Sequence, residues 1–196
     1  MVEILEHSNI LEVKSGIICH QVNCIGAMGA GLALQIKNKW PVVFKNYKEE
    51  CKLHAKDPTR LLGKVQDTFI SENLVIANCF GQVYPGRNGV MTNYDAWDEI
   101  LDKLNDICNF FSLELHFPYM VGCGLAGGDW NTILGENQSQ VWQPIFHQGV
   151  HSPLVIYGKY NTRRPRNTQH TQPGRHHPEQ RLGMSKDKKS KKEKRT

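Results

Sequence analysis

Two glycine-rich loops are the stretches of this chain best suited to chemistry. The first is Gly26-Ala27-Met28-Gly29-Ala30-Gly31 and the second is Gly122-Cys123-Gly124-Leu125-Ala126-Gly127-Gly128. Each follows an apolar run and leads into a stretch with helical spacing. Glycine lets backbone amides approach an anion closely, and a helix N-terminus adds unpaired N–H groups and a favourable dipole. Each loop therefore reads as a phosphate cradle, and two of them could grip a diphosphate from both sides. The plainer reading is a tight turn, yet three glycines in six residues and four in seven exceed what a turn requires. The first loop is spaced Gly-x-x-Gly-x-Gly, which is not the dinucleotide fingerprint Gly-x-Gly-x-x-Gly, and no Gly-Lys-Ser/Thr ending marks a P-loop.

Titratable side chains near these loops are few. His20 lies in the apolar run before the first loop. With an ordinary pKa of about 6.5, an imidazole there could accept or donate a proton at a phosphate ester; the alternative is a hydrogen-bonded core histidine. Asp129 follows the second loop and is a candidate acid, although its place before Trp130-Asn131-Thr132-Ile133 also suits a helix N-cap. Asp95, opening a long helical pattern, attracts the same capping reading.

These residues need a scaffold, and the patterning supplies one. Glu3–Leu5 and the compact run Gly16–Val22 read as strands. Leu32–Ile36 has helical spacing and is stopped near Trp40-Pro41, because proline restricts the residue before it. Val42–His54 reads as a second helix. Lys64–Ile70 and Leu74–Phe80 pair as a hairpin around Ser71-Glu72-Asn73. Thr92–Phe111 carries Trp97, Ile100, Leu101, Leu104, Ile107, Cys108 and Phe111 on one helical face. Leu113–Val121 leads as a strand into the second glycine loop, and Pro153–Tyr160 is a last strand. Strands alternating with helices predict an α/β layered fold. Between Asn131 and Pro153, Gly135, Gln138, Ser139, Gln140 and Pro144 interrupt any continuous helix.

Charge divides the chain. Its 196 residues carry a formal net charge of +5. Residues 161–196 hold twelve Lys or Arg against three acids, so the first 160 residues are left with a net charge of −4. The terminal segment offers only Leu182 and Met184 as sizeable apolar side chains, too few to offset its chain entropy, and is expected to be a disordered basic tail. Nonspecific polyanion contact is the activity its composition allows; without aromatics it is not built for base stacking. Six cysteines without a Cys-x-x-Cys pair read as free thiols in a reducing compartment. With no signal-like N-terminus and no long apolar run, the expectation is a cytoplasmic or otherwise intracellular, unsecreted monomer that makes no membrane contact.

A family resemblance is carried by specific motifs. His20-Gln21-Val22-Asn23-Cys24-Ile25-Gly26-Ala27-Met28-Gly29-Ala30-Gly31-Leu32-Ala33, with a helix ending at Trp40-Pro41, resembles the first ligand loop of macrodomains, the ADP-ribose-binding modules. Ile76–Gln82 is similar to their central strand, and Val121–Trp130 to their second loop. The resemblance covers residues 1–160 and implies a macrodomain-like three-layer α/β/α sandwich with a mixed central sheet and a ligand cleft at the strand ends. It implies ADP-ribose or an ADP-ribosylated protein as partner and no cofactor or metal. Within the cleft, Asn9 stands where many members have an acidic residue that receives the adenine amino group, with Ile10 beside it. Asn23 and the loop Gly26–Leu32 would lie by the distal ribose, Gly122–Gly128 would hold the diphosphate, and Tyr157 or Tyr160 would stack on adenine. Asn23 could instead cap the turn of its own loop.

The nearest branch by these motifs contains the yeast-type ADP-ribose 1''-phosphate phosphatase and the terminal ADP-ribose protein glycohydrolase. The glycohydrolase pattern uses a lysine near the end of the central strand and an aspartate just after Cys-Gly-Leu. This chain has Cys79-Phe80-Gly81 and Ala126 there, so that lysyl-intermediate route is not implied. Hydrolysis of the 1''-phosphate monoester or of an ADP-ribosyl ester is the leading expectation, with His20, Asn23 and Asp129 as catalytic candidates. A non-catalytic ADP-ribose reader and a nucleic-acid binder acting through the basic tail are the alternatives.

Overall fold

The computed structural model describes residues 2–5, 8–133 and 154–157. A six-stranded sheet forms its centre: β1 (Val2–Leu5), β2 (Gly16–Asn23), β3 (Val65–Phe69), β4 (Leu74–Gln82), β5 (Leu115–Pro118) and β6 (Leu154–Tyr157), in the order β1-β6-β5-β2-β4-β3. All neighbours are parallel except β3, which pairs antiparallel with β4 through the expected hairpin. The sheet is therefore mixed. Ser71 closes the hairpin turn, its hydroxyl accepting from the amides of Asn73 and Leu74.

Helices cover both faces, as the near-continuous burial along β2 and β4 demands. On one face, Ile18 and Ile76 meet Ile36 and Val43, from α1 (Gly31–Lys39) and α2 (Pro41–Leu53). Tyr47 of α2 packs with Val22 and Phe80 a turn further on. On the other face, Ile17, Cys19, Val75, Ala77 and Cys79 pack against Trp97, Ile100, Leu101, Leu104 and Cys108 of α3 (Tyr94–Phe111). Ile133 of a one-turn helix, α4 (Trp130–Ile133), joins that layer. The break between α1 and α2 falls at Trp40-Pro41: proline is tolerated as the first residue of α2, where its missing N–H costs no helical bond.

Two expectations need correction. The cap of α3 is Asn93, whose Oδ1 accepts from the Ala96 amide at 2.8 Å; Asp95 sits inside the first turn, where its charge still favours the helix dipole. The strand expected over 113–121 is confined to Leu115–Pro118, because the backbone turns after Pro118, with Val121 N–H bonding Pro118 C=O at 3.1 Å and Met120 at φ +57°. Of the last strand, Leu154–Tyr157 is seen, and Tyr160 lies outside the described residues, as do the segment 134–153 and the basic tail.

All six cysteines are free thiols, five of them buried and Cys123 half-buried. Burial pushes the thiols of Cys24, Cys108 and Cys123 up to about 12, so none is a ready nucleophile. Among the described residues, no helix is long and apolar enough to cross a membrane.

Candidate functional site

Where the C-terminal ends of β2, β4 and β5 meet the start of α1, a cavity of about 610 Å³ opens. Ligand sites of α/β sheets form at this edge, and the volume falls in the range of small-molecule pockets. The first loop contributes Ala27, Gly29, Ala30, Gly31 and Leu32, and the second contributes Gly122, Gly124, Leu125 and Ala126. They lie close together: a Cβ placed on Gly31 would stand 3.9 Å from Leu125 Cδ1.

Both loops present free backbone donors to this space. Ala30, the N-cap of α1, has no side chain able to cap, which leaves the first-turn amides of Gly31, Leu32 and Ala33 without a partner among the described residues. In the second loop, Gly127 N–H bonds Gly124 C=O and Gly128 N–H bonds Gly122 C=O, and this turn leaves the amides of Gly124, Leu125 and Ala126 without a partner among the described residues. Donors on opposite loops of one cleft are what a diphosphate requires.

Asn23 organises the first loop. Its Oδ1 accepts from Ile25 N–H, Ala27 N–H and the Tyr47 hydroxyl at 3.2, 3.1 and 2.9 Å, while its Nδ2 donates to Ala27 C=O at 2.6 Å. The capping alternative is thus what the structure shows, although Asn23 also lines the cavity.

Beneath the second loop lies a polar junction that the sequence reading did not single out. Gln21 Oε1 accepts from the buried indole of Trp97 at 2.6 Å, and Gln21 Nε2 donates to Gln82 Oε1 at 2.6 Å and to Thr92 Oγ1 at 3.1 Å. Thr92 in turn donates to Gly122 C=O at 2.6 Å, holding the loop down. Gly122 has φ +70°, and a Cβ there would fall 2.6 Å from Gln21 Oε1; a Cβ on Gly81 would meet the same atom at 2.7 Å. These glycines are therefore fixed by a close approach, beyond any need to turn. The available signal was a polar residue at the end of a buried strand: Gln21 near the end of β2, Gln82 closing β4.

His20 belongs to a second polar line, crossing three strands. His20 and Asn78 are register partners, as are Asn78 and Gln66. Gln66 Nε2 donates to the carbonyl of Asn46, which can only accept. Gln66 Oε1 must then accept from Asn78 Nδ2 at 3.0 Å, and Asn78 Oδ1 must accept from His20 Nε2 at 2.7 Å. The direction is set from end to end, so the proton of His20 sits on Nε2 and Nδ1 carries a bare lone pair. That Nδ1 is buried and has no partner. Burial holds the imidazole down to about 4, against a weaker raising effect of the Asn78 bond, so His20 is neutral near pH 7. His20 is among the residues lining the cavity, its free ring nitrogen is enclosed, and in its neutral form that nitrogen can only accept a proton, so any donor role must follow an acceptance.

Other expected site residues do not converge here. Asp129 is exposed, absent from the cavity wall, and accepts from Thr132 N–H at 2.8 Å and Thr132 Oγ1 at 2.9 Å as the cap of α4. Asn9 caps a single 3-10 turn, Ile10–Glu12, by accepting from Leu11 N–H at 3.1 Å, and Ile10 is buried in the core beside Ile18 and Ile36. Neither borders the cavity. Gly26 turns the chain behind the first loop, and Met28 is a core side chain; Cys123, Gly127 and Gly128 support the second loop from outside. Tyr157 packs edge-on against His116 with ring centroids 5.5 Å apart. Among the described residues no group of three His, Cys, Asp or Glu converges as a metal site would need.

The cavity wall also includes Arg87, which is the one formally charged side chain among the described residues lining it.

Comparison with known proteins places this geometry. No family model matches the chain. Over 49 residues it is 47% identical to an ADP-ribose 1''-phosphate phosphatase of Meyerozyma guilliermondii, and over 61 residues it is 34% identical to that of Debaryomyces hansenii. These matches cover 25% and 31% of this chain and span 28% and 34% of the relatives' lengths, well under two thirds. A 44-residue match, 39% identical, joins 22% of the chain to 12% of a DNA ADP-ribosyl glycohydrolase of Mycobacterium tuberculosis. Among solved structures, a Bacteroides thetaiotaomicron protein of unknown function superposes with a TM-score of 0.66 at 25% identity, over 81% of this chain and 98% of that one. The macrodomain of Mycobacterium tuberculosis DarG gives 0.63 at 22% identity, over 80% and 97%.

Proposed function

From the macrodomain fold of this chain, we propose that the cavity binds ADP-ribose or a derivative and hydrolyses it at the distal ribose, as the 1''-phosphate monoester or an ADP-ribosyl ester on protein. The observation that carries binding is the pair of facing loops with unpaired amides at Gly31–Ala33 and Gly124–Ala126. The diphosphate is held by backbone dipoles there, independently of the acidic body of the chain. Hydrolysis is supported by the orphaned Nδ1 of His20 and by the names of the curated relatives. For the monoester, water attacks phosphorus while His20 Nδ1 takes its proton, a step that requires the enclosed Nδ1 to open to the cavity when ligand binds. The bond from phosphorus to the sugar oxygen breaks, and the proton passes to that oxygen, giving ADP-ribose and inorganic phosphate.

Calorimetry with ADP-ribose and turnover of both derivatives test this reading. ADP-ribose is expected to bind, and His20→Ala to lower turnover by roughly 10²- to 10⁴-fold while binding persists. An absence of binding heat at high micromolar protein would remove the foundation.

One observation favours a non-catalytic reader instead: no carboxylate lines the cavity among the described residues. Binding without turnover of either derivative would establish it. The six free thiols support a reducing, intracellular setting, and the charge of residues 161–196 supports separate, nonspecific contact with polyanions.

A further inference from the structure

The loop between β4 and α3 closes one side of the cavity with Pro85, Gly86 and Arg87. It is tied down at both ends. Val83 C=O accepts from Cys24 N–H at 3.0 Å, at the exit of β2, and Tyr84 C=O accepts from Gln82 Nε2 at 3.0 Å. At the far end, Ala126 C=O in the second glycine loop accepts from Met91 N–H at 2.7 Å and from Thr92 N–H at 3.3 Å. Gly127 presses so close that a Cβ would stand 2.7 Å from Gly89 C=O. The loop bearing Arg87 is thus anchored at one end to the exit of β2 and at the other to the second glycine loop, which holds its tip beside the cavity.

Arg87 is exposed and forms no ion pair among the described residues. Guanidinium forks match phosphate oxygens two at a time, and such charge-assisted bonds are about twice as strong as neutral ones. The unpaired amides already answer to a diphosphate. Among the described residues, a single cation in a wall otherwise without formal charge therefore stands ready for an anionic group beyond it. A ligand ending in a sugar hydroxyl or a carboxyl ester offers no such group, whereas one ending in a phosphate monoester offers a dianion.

We propose that Arg87 is the specificity determinant of this site, pairing with a terminal phosphate monoester and so selecting the phosphorylated derivative over ADP-ribose itself and over ADP-ribosyl esters. The inference rests on the reading of the cavity as an ADP-ribose site.

The test uses the full chain, Arg87→Gln and Arg87→Lys, with calorimetry on ADP-ribose and on ADP-ribose 1''-phosphate. The wild type binds the phosphorylated ligand more tightly. Arg87→Gln weakens that ligand by roughly 10- to 100-fold and ADP-ribose by less than about 3-fold. Arg87→Lys restores part of the loss, because it keeps the charge without the fork, and the preference narrows as salt is raised. Equal losses on both ligands would put Arg87 on the diphosphate and overturn the proposal, as would no loss on either. If the wild type binds neither ligand, the ADP-ribose reading itself fails and this inference falls with it; binding of ADP-ribose with an indifferent Arg87→Gln sinks the inference alone.

Discussion

His20 shows how a single protonation site is decided by a residue it never touches. The Asn46 carbonyl orients Gln66, Gln66 orients Asn78, and Asn78 fixes the histidine tautomer. A neutral imidazole buried in this way has a stability signature. Its folded pKa of about 4 lies below the ordinary 6.5, so between those values the unfolded chain binds the extra proton. Stability should be flat above pH 7 and fall as the pH drops from 6.5 toward 4, by about 2 kcal/mol at pH 5 from this residue. His116, also lowered by burial, adds in the same direction. Urea unfolding at pH 7.5 and pH 5 measures the loss, and His20→Gln should shrink it to the share left by His116. An unchanged pH dependence in that variant would show that His20 is not held neutral.

At the scale of elements, the Gln21 junction joins the ends of β2 and β4 to the start of α3 and to the second glycine loop. Gln21→Leu removes one acceptor and two donor contacts at once, leaving the Trp97 indole and Gln82 amide unsatisfied. The expected cost is about 2–4 kcal/mol in chemical denaturation, with weaker ADP-ribose binding by calorimetry because Thr92 and Gly122 lose their support. Full affinity in a folded Gln21→Leu protein would show that the loop holds its shape without the junction. The strands, the hairpin, the break at Trp40-Pro41 and α3 were legible in the sequence because period and punctuation are local. The glycine loops were legible as well, since their composition exceeds any turn requirement. Gln21, Asn78 and Gln66 were not recognised because their meaning depends on pairing across β2, β4 and β3, which only register reveals. Arg87 was missed because its loop carries no motif of its own; contact with Ala126 and Gly127 brings it to the cavity. Asn9 was singled out by the family resemblance and Asp129 by its place after the second loop, and each makes a local cap.

For the whole molecule, net charge is a poor guide to the partner. The +9 of residues 161–196 masks the −4 of the first 160, while the cavity has backbone donors and a single cation. Polyanion contact and ADP-ribose binding should therefore separate. A chain ending at Asn161, where the first compact unit ends, should lose salt-sensitive DNA binding and retain its ADP-ribose affinity. Gel-shift titrations at two salt concentrations, beside calorimetry, check both halves; DNA binding that survives the truncation would place the polyanion surface on the body. The order of the sheet also bears on how the chain is born. β1 is made first, yet among the described residues its one strand neighbour is β6, which arrives more than 140 residues later and seats itself between β1 and β5. Among the described residues, every segment that walls the cavity, from His20 to Ala126, leaves the ribosome in that interval. Translation thus delivers the described wall of the binding site before the partner that seats the first strand.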